Sequence, residues 1–152
     1  MIRYLIATHG YLADGFKSTL KVIMGEEITK QIVTLNLFVE DNQQSEDAKT
    51  LIGNFFENIQ EDDQIIVFTD ILHGSVNQLV IPYINSKKVH VLTGINLPLI
   101  CEVMSTFGYI DQAIDEEKLK LITDEAQKEL RYVNEYKNKK IKQINDDSSF
   151  FD

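Results

Sequence analysis

Two segments of the chain carry side chains suited to covalent chemistry: Ala7-Thr8-His9-Gly10, and Thr69-Asp70-Ile71-Leu72-His73-Gly74-Ser75. A carboxylate that accepts one imidazole N–H fixes the ring tautomer and leaves the lone pair of the other nitrogen free to attack. Imidazole attacking phosphorus gives a phosphohistidine, whose charge needs donors nearby. The Ser75 hydroxyl and the backbone N–H groups of a helix starting near it would supply them, and Gly10 and Gly74 would let backbone approach the phosphoryl group closely. Each residue also has a plainer reading. His9 could be a turn residue or a satisfied core donor, and Asp70 or Ser75 could simply cap the following helix. His73 could be a second site residue but reads better as an exposed loop residue, His90 reads as structural, and Cys101 as a buried inert thiol.

For His9 and Asp70 to act together, the fold must bring them to one place. Ile2–Thr8, Ile32–Val39, Ile65–Thr69 and Val89–Thr93 are short runs rich in β-branched or aromatic residues, which is the strand signal. Between them lie stretches with helical spacing. Leu12, Phe16, Leu20 and Ile23 form one stripe, which Gly25 would terminate; Ala48, Leu51, Ile52, Phe55, Phe56 and Ile59 form another. Val76, Leu79, Val80, Tyr83 and Ile84 form a third, in which Pro82 should kink or shorten the helix. A fourth, capped by Asn96 with Pro98 in its first turn, presents Ile100, Val103, Met104 and Phe107. A fifth, from about Glu116, presents Leu119, Ile122, Ala126 and Leu130. This β-α-β-α-β-α-β-α-α order predicts an open parallel α/β sheet of strand order 2-1-3-4 with helices on both faces. In such sheets ligands bind beyond the strand C-termini where the order reverses, here between the first and third strands. His9 and Asp70 would emerge there side by side.

Composition limits the alternatives. The 152 residues suit a single domain, expected over residues 1–136 with 137–152 as a tail, and the 43% hydrophobic and 26% charged fractions suit a globular protein. A net charge of −9 argues against nucleic-acid or anionic-membrane binding, both of which need basic patches. With Cys101 the sole cysteine, neither an internal disulfide nor a cysteine zinc cluster can form, and neither metal nor cofactor is expected. Ile2–Ala7 is too short for a signal-peptide core, and no segment approaches the roughly 20 apolar residues of a membrane span, so a cytoplasmic protein is expected.

Three blocks in order resemble the enzyme IIA domains of the mannose-type phosphoenolpyruvate-dependent sugar phosphotransferase system. They are Ile6-Ala7-Thr8-His9-Gly10 with Ala13, Gly15 and Ile23-Met24-Gly25; Phe68-Thr69-Asp70 with Gly74-Ser75; and Gly94-Ile95-Asn96-Leu97-Pro98-Leu99. The resemblance implies that His9 accepts phosphate from phosphorylated HPr and passes it to a IIB component that phosphorylates sugar during import. It also implies that Asp70 hydrogen-bonds His9 and that the loop at Gly74 and Ser75 cradles the phosphate. Membrane association would be indirect, through the sugar permease. The family forms homodimers that exchange a C-terminal strand, for which Leu130–Asn134 is the candidate. One departure stands out: His73 occupies the position of the first of two loop glycines, and would be strained if that position needs a positive φ.

Two other readings remain. The chain could feed a dihydroxyacetone kinase or a regulator, although the Thr8-His9-Gly10 start favours the sugar branch. It could also be a non-catalytic dimeric ligand-binding module. Receiver-type domains share the architecture but need an acidic cluster after the first strand, and flavin binding would call for a Ser/Thr-rich loop there.

Overall fold

A computed structural model describes residues 1–39, 45–84, 88–109 and 113–135. Four strands, β1 (Ile2–His9), β2 (Ile32–Leu37), β3 (Gln64–Thr69) and β4 (Lys88–Thr93), form one parallel sheet of order β2-β1-β3-β4. The α-helices are α1 (Leu12–Met24), the single-turn α2 (Glu26–Thr29), α3 (Ser45–Glu57), α4 (Ser75–Val80), α5 (Leu97–Phe107) and α6 (Glu116–Gln127).

The period-2 alternation of strand side chains divides the interior in two. Tyr4, Ile6, Ile66 and Phe68 pack with Ala13, Leu20, Val103, Phe107 and Ile122, on the face covered by α1, α5 and α6. Leu5, Ala7, Ile65 and Val67 pack with Ala48, Ile52, Phe56, Val76 and Val80, on the face covered by α3 and α4. The two central strands are thus buried on both faces, as their near-continuous apolar sequences require.

Local signals act where expected. Gly25, at φ 91°, ends α1. Asn96 Oδ1 accepts the Leu99 N–H at 2.9 Å, while its Nδ2 donates to the Ala126 carbonyl at 2.8 Å, so one cap also ties α5 to α6. Helix α4 stops at Val80 and passes into a 3₁₀ turn over Ile81–Tyr83, the shortening that Pro82 imposes.

Several details differ from the sequence expectation, beginning with the single-turn α2, which it lacked, and with β1, which runs on to His9. The buried stripe of α1 is Ala13 and Leu20, with Phe16 and Met24 packed beside them; Leu12 and Ile23 are exposed. Strand β2 ends at Leu37 rather than Val39, because Phe38 takes φ 57° and leaves the pleat. Leu130 lies beyond α6 and is 90% exposed instead of packed. Leu130–Asn134 forms no strand within the chain: residues 130–132 are irregular and 133–135 helical. The boundary expected after residue 136, and the tail beyond it, lie outside the described residues.

Candidate functional site

His9 is the last residue of β1 and continues the alternation of Leu5 and Ala7, so it emerges on the side of the sheet covered by α3 and α4. Asp70 is the first residue after β3, the neighbouring strand, whose Thr69 is the register partner of Ala7. The two residues meet at the C-terminal edge of the sheet, between the first and third strands.

Their contact is double. Asp70 Oδ2 accepts the His9 backbone N–H at 2.8 Å and lies 2.7 Å from His9 Nδ1. Asp70 Oδ1 accepts the Ile71 N–H at 2.9 Å, and the Asp70 carbonyl accepts the Gly94 N–H at 3.1 Å. Burial pushes the Asp70 carboxyl up, but the His9 backbone N–H, the His9 ring and the Ile71 N–H outweigh it and hold it below the usual carboxylate value. An ionised carboxylate can only accept, so in the neutral ring Nδ1 carries the proton and the lone pair sits on Nε2. Nε2 lies 2.8 Å from Ser75 Oγ, whose hydroxyl donates to it. The Asp70 side chain is 9% exposed and that of His9 37%, so the carboxylate is sheltered while the ring edge bearing Nε2 is open.

The loop between Asp70 and Ser75 is held by a residue with no evident chemical role in the sequence. Asn77, buried in α4, accepts the His73 N–H through Oδ1 at 3.2 Å and donates through Nδ2 to Thr69 Oγ1 at 3.1 Å. His73 takes φ 63°, the left-handed conformation for which glycine is suited, and its side chain is exposed and contributes nothing to the His9 contacts. Gly74 has an ordinary φ of −65°, but a Cβ there would lie 3.1 Å from the Ile71 carbonyl and 3.5 Å from His9 Cε1. Glycine at 74 therefore lets the loop lie against the imidazole. The requirement at Gly10 is different: its φ of 57° turns the chain from β1 into α1, with open space where a Cβ would be.

The plainer readings of Asp70 and Ser75 do not hold. The residue at the N-cap of α4 is Gly74, no side chain caps the helix, and Ser75 is its first residue. His90 lies half-buried in β4, where burial lowers its pKa despite the opposing charge of Glu116. Cys101 packs partly against the core, and burial, followed by the charge of Glu102, pushes its thiol up. Among the described residues no three His, Cys, Asp or Glu side chains converge as a metal site would require. Likewise, no helix among them is long and apolar enough to cross a membrane.

One site residue was invisible to motif reading. The Phe38 ring stacks on the His9 imidazole, with centroids 5.5 Å apart and planes within 24°. Phe38 and His73 are the non-glycine residues with positive φ among those described; the first stacks on His9, and the second precedes Gly74, which lies against the imidazole. Such conformations cost of the order of 1–3 kcal/mol each and collect at functional sites. The available sequence signal was position: β2 neighbours β1, so the residue following it opens onto the same crevice. Together these groups form an imidazole held at Nδ1 by a carboxylate and met at Nε2 by a hydroxyl, an arrangement in which the ring could act as a nucleophile.

Residues 3–121 match the model of the family described as the PTS system fructose IIA component. Solved structures agree. A candidate permease of the phosphoenolpyruvate-dependent sugar phosphotransferase system from Klebsiella pneumoniae is 26% identical, with 88% of this chain and 91% of that one covered and a TM-score of 0.75. The IIA protein associated with the fucose utilization operon of Streptococcus pneumoniae is 26% identical over 89% and 95% of the two chains, with a TM-score of 0.73. An EIIA component from Streptococcus agalactiae is 26% identical over 82% and 94%, with a TM-score of 0.68. With the parallel 2-1-3-4 sheet and most of its length matched, the chain belongs to the fructose IIA component family and is a phosphotransferase component of a sugar phosphotransferase system.

Proposed function

We propose that this chain is a phosphocarrier that accepts a phosphoryl group from phosphorylated HPr on Nε2 of His9 and passes it to a IIB component for sugar uptake. One observation carries the reading: Nδ1 is held by Asp70 while Nε2 sits at the open ring edge beside Ser75. The transfer balances without an external base. The Nε2 lone pair forms a bond to phosphorus as the donor's P–N bond breaks, and the donor nitrogen keeps that electron pair. The Nδ1 proton stays in its hydrogen bond to Asp70, whose charge offsets the positive charge the ring acquires. The Ser75 hydroxyl, released from Nε2, turns to a phosphoryl oxygen. Positioning and fixed dipoles account for the rate in such a step.

A homodimer fits the same reading. Strand β4 is an edge of the sheet, and Leu130, Tyr132 and Val133 are 90%, 71% and 66% exposed, an apolar segment suited to pairing with a second copy.

Intact-mass spectrometry after incubation with phosphoenolpyruvate, enzyme I and HPr tests the proposal. The expected result is a gain of one acid-labile phosphoryl mass, absent from His9→Ala. Phosphorylation of the His9→Ala protein would refute the site, and no gain in the wild type with competent HPr would favour a ligand-binding module.

A further inference from the structure

We infer that Phe38 is a positioning residue of this site, and that its ring face stabilises the positive charge His9 acquires on carrying a phosphoryl group; the inference rests on the phosphocarrier reading above. Two independent observations support it. The first is the ring contact: the centroids are 5.5 Å apart with the planes inclined by 24°. A cation over an aromatic face within about 6 Å of the centroid is attracted by the ring quadrupole.

The second is the backbone. Phe38 holds φ 57°, a conformation that asparagine or aspartate can offset by local hydrogen bonding and phenylalanine cannot. Continuation of β2 would send Phe38 to the sheet face opposite Leu37. Instead both side chains pack on the α3–α4 side, where His9 emerges. The left-handed turn is what carries the ring there. It starts from an anchored residue, since Leu37 is the register partner of His9 and its carbonyl accepts the Gly10 N–H at 2.8 Å. Strain sustained at the one residue whose ring covers the nucleophile is the pattern expected of a functional constraint.

The chemistry gives the ring its use. Before transfer the imidazole is neutral, with a proton on Nδ1 and a lone pair on Nε2. After the Nε2–P bond forms and the donor's N–P bond breaks, the ring bears both N–H and N–P and is formally cationic, while the phosphoryl oxygens carry negative charge outside it. An aromatic face binds the second state better than the first. Only that difference shifts the transfer equilibrium, and it shifts it toward this chain.

Three variants of the full chain separate the causes. Phe38→Tyr keeps an aromatic face, Phe38→Leu keeps bulk without one, and Phe38→Gly keeps the positive φ freely while removing the side chain. Each is mixed with limiting phosphorylated HPr, and the phosphoryl distribution is read by intact mass at equilibrium. Leu and Gly should move the distribution about two- to fivefold toward the donor, the range of an exposed cation–π contact, and Tyr should restore it. If Leu and Gly partition as the wild type does while the wild type is phosphorylated, the role of Phe38 is overturned and the carrier reading stands. If the wild type takes up no phosphoryl group, both are overturned.

Discussion

Asp70 Oδ2 receives two hydrogen bonds from one residue, the His9 backbone N–H at 2.8 Å and the Nδ1 side of its ring at 2.7 Å. The same oxygen therefore fixes where the histidine backbone ends its strand and which way the ring faces. Removing the carboxylate should cost orientation and charge compensation while leaving the Nε2 lone pair available. Asp70→Ala is expected to slow phosphoryl transfer about 10- to 100-fold, the equivalent of a hydrogen bond to a charged group, without abolishing it. Rapid-quench transfer from phosphorylated HPr measures this, and a wild-type rate would remove Asp70 from the mechanism.

Ser75 Oγ lies 2.8 Å from Nε2 and would have to turn toward the phosphoryl oxygens as they arrive. Ser75→Ala deletes that donor but leaves the Asp70 contact untouched. The transfer rate should fall about 10-fold or more, in line with one hydrogen bond to a charged oxygen that forms as the phosphoryl group enters. Far-ultraviolet circular dichroism should be unchanged, since Ser75 is exposed and caps nothing. A mutant as fast as the wild type would confine the hydroxyl to the resting state.

His73 holds φ 63° with its side chain in solvent, so the side chain offers no packing to offset the conformation. His73→Gly should relieve about 1 kcal/mol, raising Tm by about 2–4 °C in a domain of this size. The bond from its backbone N–H to Asn77 survives the substitution, so the loop and the transfer rate should be retained. An unchanged or lowered Tm in calorimetry would contradict strain at this position.

Acid should weaken the fold through its depressed carboxyls. Burial raises the Asp70 carboxyl, yet the His9 N–H, the ring and the Ile71 N–H hold it below its ordinary 3.8. At Asp63, burial likewise opposes the Arg3 guanidinium and the Gln60 N–H, and the net direction is again downward. A carboxyl depressed in the folded state binds protons more readily when unfolded. Its contribution is therefore complete above the unfolded value and lost as pH falls through the folded one. Tm should decline as pH drops below 3.8, and Asp70→Asn should start lower at neutral pH and decline less steeply. Parallel pH profiles would exclude Asp70 from this linkage.

Much of the architecture is written in local patterns. Apolar runs bounded by polar residues mark the four strands, and helical spacing marks the helices between them. Gly25, Asn96 and Pro82 act at the positions their backbone chemistry dictates. The parallel order then brings His9 and Asp70 together, because strands that neighbour each other must open at the same edge. Hydrophobicity by itself does not place every side chain. Leu12, Ile23 and Leu130 are apolar yet exposed, since periodicity locates a stripe without saying which side of it the sheet will cover.

The sequence alone thus determined the four strands and the longer helices, their order, and the candidacy of His9, Asp70 and Ser75, because these depend on residue type and on topology rules that act over short spans. Only the tertiary structure decided that one Asp70 oxygen serves both the His9 backbone and its ring, that Asn77 holds the loop, and that Phe38 leaves its strand to cover the imidazole. The Asp70 and Phe38 contacts with His9 join residues far apart in the chain, and all three rest on ångström-scale distances or a left-handed backbone angle. Neither quantity is set by composition or periodicity; both follow from how the packed strands and helices meet.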